Sequence, residues 1–185
     1  MPYVLRKISR AKWFDVASES SGTQQPPDES LMQADVFSDL KTDSNQLSVW
    51  YIDDDLANLD HVLTALAANL DRLSNVDYVL LNNDVVMALN LGIKQTDGGS
   101  LDQQVNQWHR DLDIRTAGRL VDFAKEIYSR ADSRRRKPEK ELKRLLVRAV
   151  SSGRIDKDKL KESLREEVDK LLGSSGGDKK LSETI

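Results

Sequence analysis

The stretch LSVWYIDDDLANLDHVLTALAANLDRL, residues 47–73, decides the fold, because it joins the clearest strand pattern of the chain to its clearest helix pattern. Residues 47–52 are apolar at every position except Ser48. Successive side chains of a strand point to opposite faces of a sheet, so both faces of this segment are apolar. The pattern predicts a strand that is covered on both sides.

Six leucines follow this strand at alternating spacings of three and four residues, which places them on one side of an α-helix. They are Leu56, Leu59, Leu63, Leu66, Leu70 and Leu73. The acidic triplet at residues 53–55 predicts the start of this helix, because carboxylates cap helix N-termini and oppose the positive end of the helix dipole. His61 lies two residues from both Leu59 and Leu63, so we expect it to point towards solvent.

The rest of the first half contributes weaker elements. Residues 3–8, 76–81 and 93–96 have the composition of further strands, and residues 35–40 and 84–89 that of short helices. The tetrad TDSN at residues 42–45 predicts a turn into the best strand. The run SESSGTQQPPDES, residues 18–30, has nothing to bury and predicts a mobile loop.

The second half predicts amphipathic helices. Ser100 and Gln103 form a capping-box pattern, which predicts a helix from Leu101 with Val105, Trp108 and Leu112 on its inner face. A second helix is expected from about residue 114 to residue 131. A third is expected to begin at Pro138 and to stop at residues 152–153, and Asp156 is expected to cap a fourth.

Together these patterns predict an α+β fold, in which a small N-terminal sheet with a packed amphipathic helix precedes a mainly helical C-terminal half of about four helices. The expected domain organisation is an α+β part at residues 1–99 and a helical part at residues 100–172, packed on the first part as one body. Residues 173–185 have the composition of a linker and are expected to form a disordered tail.

Composition excludes several classes of protein. The 185 residues include no cysteine, which excludes disulfide frameworks, thiolate metal sites and thiol nucleophiles within this sequence. The mean hydropathy is -0.56, and no apolar run approaches the roughly 18 to 20 residues of a membrane-spanning helix. Residues 1–8 lack the apolar stretch of a secretory signal. We therefore expect a cytoplasmic protein that does not enter a membrane.

Charge is distributed unevenly along the chain, although the formal net charge is only -3. Residues 13–115 carry 18 acidic and 5 basic side chains, whereas residues 130–165 carry 14 basic and 6 acidic ones. Such a chain could bind a polyanion with its basic part, or neutralise itself by packing that part against the acidic one.

The basic part contains the candidate binding residues, for nucleic acid or for a partner protein. They are Arg134, Arg135, Arg136, Lys140, Lys143, Arg144 and Arg148. The spacing of Lys140, Lys143, Arg144 and Arg148 places them on one side of a helix, away from its leucines, as a ridge suited to phosphates. No aromatic residues interleave to stack on bases, so a solvated ridge, or one packed on the acidic half, is the favoured interpretation.

His109 is the one candidate for acid/base chemistry. The string His109-Arg110-Asp111-Leu112 matches the start of a kinase catalytic loop, but Thr116 stands where that motif requires asparagine and no glycine-rich phosphate loop is present. On the predicted helix, Asp113 lies one turn from His109 and could orient its imidazole. A simpler interpretation is that His109 lies at the border of the apolar face and that the pair has a purely structural role.

Two further patterns have simpler structural explanations. Asp53, Asp54 and Asp55, with Asp60, could bind a divalent cation, but consecutive carboxylates do not converge unaided, and capping of a helix accounts for them. The turn at residues 98–100 could hold an anion but has no flanking lysine and no phosphate-loop spacing, so it is expected to be a turn with a helix cap. No cofactor is predicted.

The leading hypothesis for function is a non-enzymatic protein-binding or regulatory subunit of a larger intracellular assembly. The second is a nucleic-acid-binding protein that uses residues 130–148. The third is an enzyme of unfamiliar type, centred on His109 or on Asp53–Asp55. The sequence names no partner and leaves the oligomeric state open.

Overall fold

A computed structural model describes residues 2–13, 32–130 and 134–175. Its strands are β1 (Tyr3–Ile8), β2 (Gln46–Ile52), β3 (Val76–Asn82), β4 (Gly92–Gln95), β5 (His109–Asp113) and β6 (Arg134–Lys137). Its helices are α1 (Arg10–Trp13), α2 (Leu59–Ala68), α3 (Asn83–Ala88), α4 (Gln103–Asn106), α5 (Ala117–Ser129), α6 (Glu139–Ser151) and α7 (Glu162–Ser175). Two 3-10 turns span Ala34–Ser38 and Lys157–Lys159.

The six strands form one antiparallel sheet in the order β4-β5-β2-β1-β3-β6. Strand β1 is central, with Leu5 opposite Trp50 of β2 on one side and Leu80 of β3 on the other. On the far side of β2, Ser48 is opposite Asp111 of β5. Strands β4 and β6 are the two edges among the described residues.

Both faces of the sheet bury an apolar cluster, which makes the fold a sheet between two layers of helices. On the first face, Leu5 and Ile52 pack with residues of α2, α6 and α7, such as Leu63, Leu146 and Leu164. The second face holds a separate cluster in which β2 and β3 meet α3, α5 and the first 3-10 turn. This α+β architecture agrees with the fold class predicted from the sequence.

Strand β2 confirms the two-sided burial predicted for it. Leu47 and Val49 belong to the cluster on the second face, and Trp50 and Ile52 to the cluster on the first. The predicted turn before it is a two-residue hairpin loop, in which Ser44 and Asn45 both have positive φ. Small polar residues tolerate this conformation well.

The helix predicted from Leu101 through Leu112 is wrong. Helix α4 covers only Gln103–Asn106, and the chain then enters β5, which pairs with β2 and with β4. Asp102, not Ser100, supplies the cap by accepting a hydrogen bond from the Gln104 amide. The spacing of Val105 and Leu112 fits a helix, but pairing with two neighbouring strands satisfies the backbone instead, which local sequence does not encode.

The four consecutive basic residues Arg134–Lys137 also form a strand, although their composition gives no strand signal. As the edge strand β6 they pair with β3 on one side only. Charged side chains are common on edge strands because they oppose pairing with another chain. Strands β5 and β6 therefore bring residues after position 100 into the same sheet as residues 1–99.

Helix α2 is shorter than the leucine pattern predicts. It begins after Asn58, whose buried side chain accepts from the Asp53 amide and donates to the Tyr51 carbonyl. The acidic triplet thus lies in a loop before the helix and does not cap it. Leu56 lies in that loop with a φ of 61° and is 39% exposed, whereas Leu63 is fully buried.

The last two helices follow their predictions more closely. Helix α6 begins after Pro138 and ends at Ser151, with Gly153 at a φ of 72° beyond it. Asp156 caps the second 3-10 turn, not α7. Helix α7 continues to Ser175, so residues 173–175 are helical and not part of a tail. The loop predicted at residues 18–30 and the tail at residues 176–185 lie outside the described residues.

Within the described ranges, each helix is too short or too polar to cross a lipid bilayer.

Candidate functional site

The basic residues singled out in the sequence lie on β6 and on α6. Lys140, Arg144 and Arg148 follow one another at intervals of four residues and are all exposed. In a helix this spacing sets neighbouring side chains roughly 6 Å apart along the axis. We call these three residues the cationic stripe.

Lys143 does not belong to the stripe, because it faces α7. Its ammonium group lies 2.7 Å from Glu139 and 2.7 Å from Glu167 of α7. Hydrogen bonds to these two carboxylates raise the pKa of Lys143. The residue thus joins two helices, which corrects the expectation that it shares one ridge with Lys140, Arg144 and Arg148.

On β6, Arg136 and Lys137 are paired with acidic residues of the first half of the chain. The Arg136 guanidinium forms a bidentate ion pair with Asp77 of β3, with distances of 2.7 and 3.0 Å. The Lys137 ammonium lies 2.9 Å from Asp60 of α2 and 2.9 Å from Glu141. Burial works against the charged form of Lys137, but these hydrogen bonds outweigh it and raise its pKa.

Arg134 and Arg135 complete the basic strand. Arg134 is half-buried, and its guanidinium lies 3.5 Å from the Tyr128 carbonyl. Arg135 is exposed and donates to the Arg134 carbonyl. Three of the seven predicted basic residues, Arg134, Arg136 and Lys143, therefore make contacts inside the protein, and Arg135 with the cationic stripe is directed outwards.

His109 occupies a buried position on β5. Its Nδ1 lies 2.8 Å from the Thr96 hydroxyl, and its ring packs edge-on against Trp50 at 4.9 Å between centroids. Asp113 is four residues along the same extended strand, roughly 13 Å away, so it does not orient the imidazole. The predicted pairing of His109 with Asp113 is wrong because the segment is a strand.

The acidic triplet is not brought into a cluster by the fold. Asp55 accepts from the Ala57 amide within the loop, and Asp60 pairs with Lys137. Over the ranges 2–13, 32–130 and 134–175, no group of three or more histidine or carboxylate residues is arranged to hold a metal ion. In the turn at residues 98–100, the Ser100 amide is occupied by the side chain of Asn106.

A buried charged cluster that the sequence did not predict joins α2, α4 and the segment after α6. Asp102 is fully buried, and its carboxylate lies 2.7 Å from Arg154 Nε as a charge contact, not a well-aligned hydrogen bond. Arg154 also lies 3.2 Å from Nε2 of His61, whose ring packs edge-on against Trp108. His61 is thus held inside this cluster, and the expectation that it points to solvent is wrong.

A polar cleft of about 550 Å³ lies on the first face of the sheet, beside β4, β5 and the start of β2. Its wall and floor are contributed by the hairpin loop, β4 and β5. The charged residues that line it are Lys94, Asp111, Asp113 and Arg115. The alternation of His109, Asp111 and Asp113 is the one signal in the sequence that could have predicted this polar strand face.

No protein family, no curated protein and no solved structure matches this chain.

Proposed function

We propose that the protein is a non-enzymatic binding protein, acting as a subunit or regulator of a larger intracellular assembly, and that the cationic stripe binds an acidic surface of a partner protein. The observation that carries this proposal is the contrast within α6. Lys143 is paired with two carboxylates, whereas Lys140, Arg144 and Arg148 form no ion pair within the described parts of the chain. Exposed cations on a rigid helix offer a directional electrostatic surface.

The surroundings of the stripe favour a protein over a nucleic acid. Glu141 lies beside it on α6, and α7 presents the exposed Glu162 and Glu166. These carboxylates would repel a continuous phosphate backbone, but they can pair with basic groups at the edge of a protein interface. Aromatic side chains that could stack on bases are absent from α6.

Nucleic acid remains the second candidate, because the stripe and Arg135 offer four outward-facing cations. Four phosphate contacts would give weak, strongly salt-dependent binding, whereas proteins that neutralise six to ten phosphates bind far more tightly at low salt. The lack of cysteine supports a reducing compartment such as the cytoplasm for either partner.

Affinity purification from the native host, with three versions of the chain in parallel, tests this proposal. The stripe variant carries Lys140→Gln, Arg144→Gln and Arg148→Gln. The matched control removes the same charge from three exposed cations elsewhere, as Lys41→Gln, Arg72→Gln and Lys170→Gln. Each preparation is divided, and one half is treated with nuclease before elution.

We expect that an acidic protein co-purifies with the wild type and the control but not with the stripe variant. Its recovery should be unaffected by nuclease. Recovery that nuclease abolishes would instead favour nucleic acid. In that case, fluorescence anisotropy with generic duplex and single-stranded probes should show an affinity that falls with salt, with a shallower slope for the stripe variant. If the stripe variant and the control recover the same partners, the stripe is not the binding surface.

A further inference from the structure

The polar cleft lies on the same face of the sheet as α2, α6 and α7. Three rows of residues cross β4, β5 and β2 on this face. In the first row, His109 of β5 contacts both Thr96, which follows β4, and Trp50 of β2. In the next two rows, Lys94 is opposite Asp111 and Gly92 is opposite Asp113, and these rows form the floor of the cleft.

Asp111 is the carboxylate in the middle of these three rows, opposite Lys94 of β4. Its side chain is directed into the cleft, yet the residue is only 8% exposed. One carboxylate oxygen accepts a hydrogen bond of 3.1 Å from the Ser48 hydroxyl. The other carboxylate oxygen is not among the buried side-chain atoms that lack a hydrogen-bond partner, so it is open to the cleft and can accept from a ligand there.

The other charges of the cleft define what could satisfy Asp111. Asp113 is already held by Arg115, with distances of 2.8 and 3.1 Å from Nε to its two oxygens. Lys94 is exposed and is the cross-strand neighbour of Asp111, but it forms no ion pair with any described residue. The described lining of the site therefore contains two carboxylates and two cations, so its formal charge is balanced.

From this arrangement we infer that the cleft binds a small zwitterion of the α-amino acid type, with its ammonium group on Asp111 and its carboxylate on Lys94. Both charged groups of such a ligand are attached to one carbon, which suits two partners that are opposite each other on adjacent strands. Cross-strand side chains start roughly 5 Å apart at their Cβ atoms. Gly92, which has no side chain, leaves the adjoining position of β4 open.

The balanced charge of the cleft argues against ligands with a single type of charge. A phosphate would be repelled by Asp111 and Asp113, and a bare amine would be repelled by Lys94 and Arg115. A sugar would normally stack on an aromatic ring, and none of the described residues that line the cleft is aromatic. This inference does not depend on the cationic stripe, which lies on α6.

Titration of the full chain, followed by ¹H–¹⁵N NMR, tests the inference. The probes are the twenty standard amino acids in small pools and then singly, with acetate and methylamine as probes that each lack one charge. We expect at least one amino acid to give saturable shifts at Ser48, Lys94 and Asp111, and to bind at least about tenfold more tightly than either single-charge probe.

Two variants locate the site, and one serves as a control. Asp111→Asn and Lys94→Gln should each weaken binding about tenfold or more, whereas Lys170→Gln, at an exposed position of α7, should leave it unchanged. Lys94 is exposed, so Lys94→Gln keeps the test valid if the Asp111 variant does not fold. The inference is wrong if no probe gives saturable shifts at millimolar concentration, if acetate or methylamine binds as well as the amino acid, or if Lys94→Gln binds normally.

Discussion

Asp39 illustrates how a single carboxylate can fix a junction between elements. It follows the first 3-10 turn and accepts hydrogen bonds from the Ser9 amide at 2.6 Å and from the buried Trp13 indole at 2.9 Å. Arg6 of β1 donates to the Asp39 main-chain carbonyl. The end of β1, α1 and the 3-10 turn are therefore held together around one residue.

The electrostatics of Asp39 predict a dependence of stability on pH. Burial alone would raise its pKa, but hydrogen bonds from Ser9 and Trp13, together with the nearby Lys12, outweigh burial and lower it. A carboxylate whose pKa is lowered by folding stabilises the protein above its unfolded pKa of about 3.9. That contribution is lost as the pH falls through the folded-state pKa.

We predict that Asp39→Asn lowers the free energy of unfolding by about 1 to 3 kcal/mol at pH 7, because the Ser9 amide and the Trp13 indole lose their charged acceptor. Urea denaturation should show that the difference in free energy of unfolding between the variant and the wild type is smaller near pH 3 than at pH 7. Asp35→Asn, at an exposed carboxylate of the same turn, is the control and should change stability by less than about 0.5 kcal/mol. Equal effects of the two substitutions at pH 7 would contradict the role assigned to Asp39.

At the scale of elements, α2 shows how burial differs along one sequence pattern. The predicted leucine stripe begins at Leu56, but the helix begins at Leu59 because Asn58 anchors the preceding loop to β2. Alanines at positions 65, 67 and 68 are also buried, so the face that packs on the sheet is wider than the stripe. Small residues here let α2 approach its neighbours closely, including α6.

Truncation of two leucines separates the buried part of this pattern from the exposed part. Leu63→Ala should lower the free energy of unfolding by about 2 to 5 kcal/mol, because it leaves a cavity in the core of the first face. Leu56→Ala is the matched control, and it should cost less than about 1 kcal/mol because Leu56 is already partly in water. Similar losses at both positions, measured by chemical denaturation, would mean that the loop is buried.

At the scale of the whole molecule, the two predicted parts of the chain share one sheet, and both parts contribute residues to the apolar cluster on each face. Strand β5 lies between β2 and β4, and β6 pairs with β3. Helices α6 and α7 cover the first face with fully buried side chains such as Leu142, Leu146 and Leu164. Without these helices, the apolar residues of α2 and the sheet would face water.

This arrangement predicts that the first part does not fold by itself. A chain that ends at residue 137 keeps all six strands but loses α6 and α7, so we expect it to show no cooperative thermal transition by calorimetry. A chain that ends at residue 175 is the control and should keep the transition of the full chain. Cooperative unfolding of the shorter chain near the temperature of the full chain would show that α6 and α7 are a separable unit.

The sequence by itself predicted the elements whose pattern is complete within one segment. The two-sided apolar run of β2, the amphipathic helices α2 and α6, and the turn before β2 all depend on neighbours within a few residues. The physical reason is that periodic burial and local backbone preferences act over one turn or one strand. The α+β class followed from these elements together.

Only the tertiary structure decided the elements and contacts that need a distant partner. Strand β5 forms because β2 and β4 satisfy its backbone on both sides, although its residues also fit a helix. His61 and Arg154 are 93 residues apart in sequence and meet beside the buried Asp102. The cleft around Asp111 is lined by three segments that are distant in sequence, at residues 44–46, 92–94 and 111–115. Such pairings gain their free energy from contacts between segments, so no local window of sequence contains them.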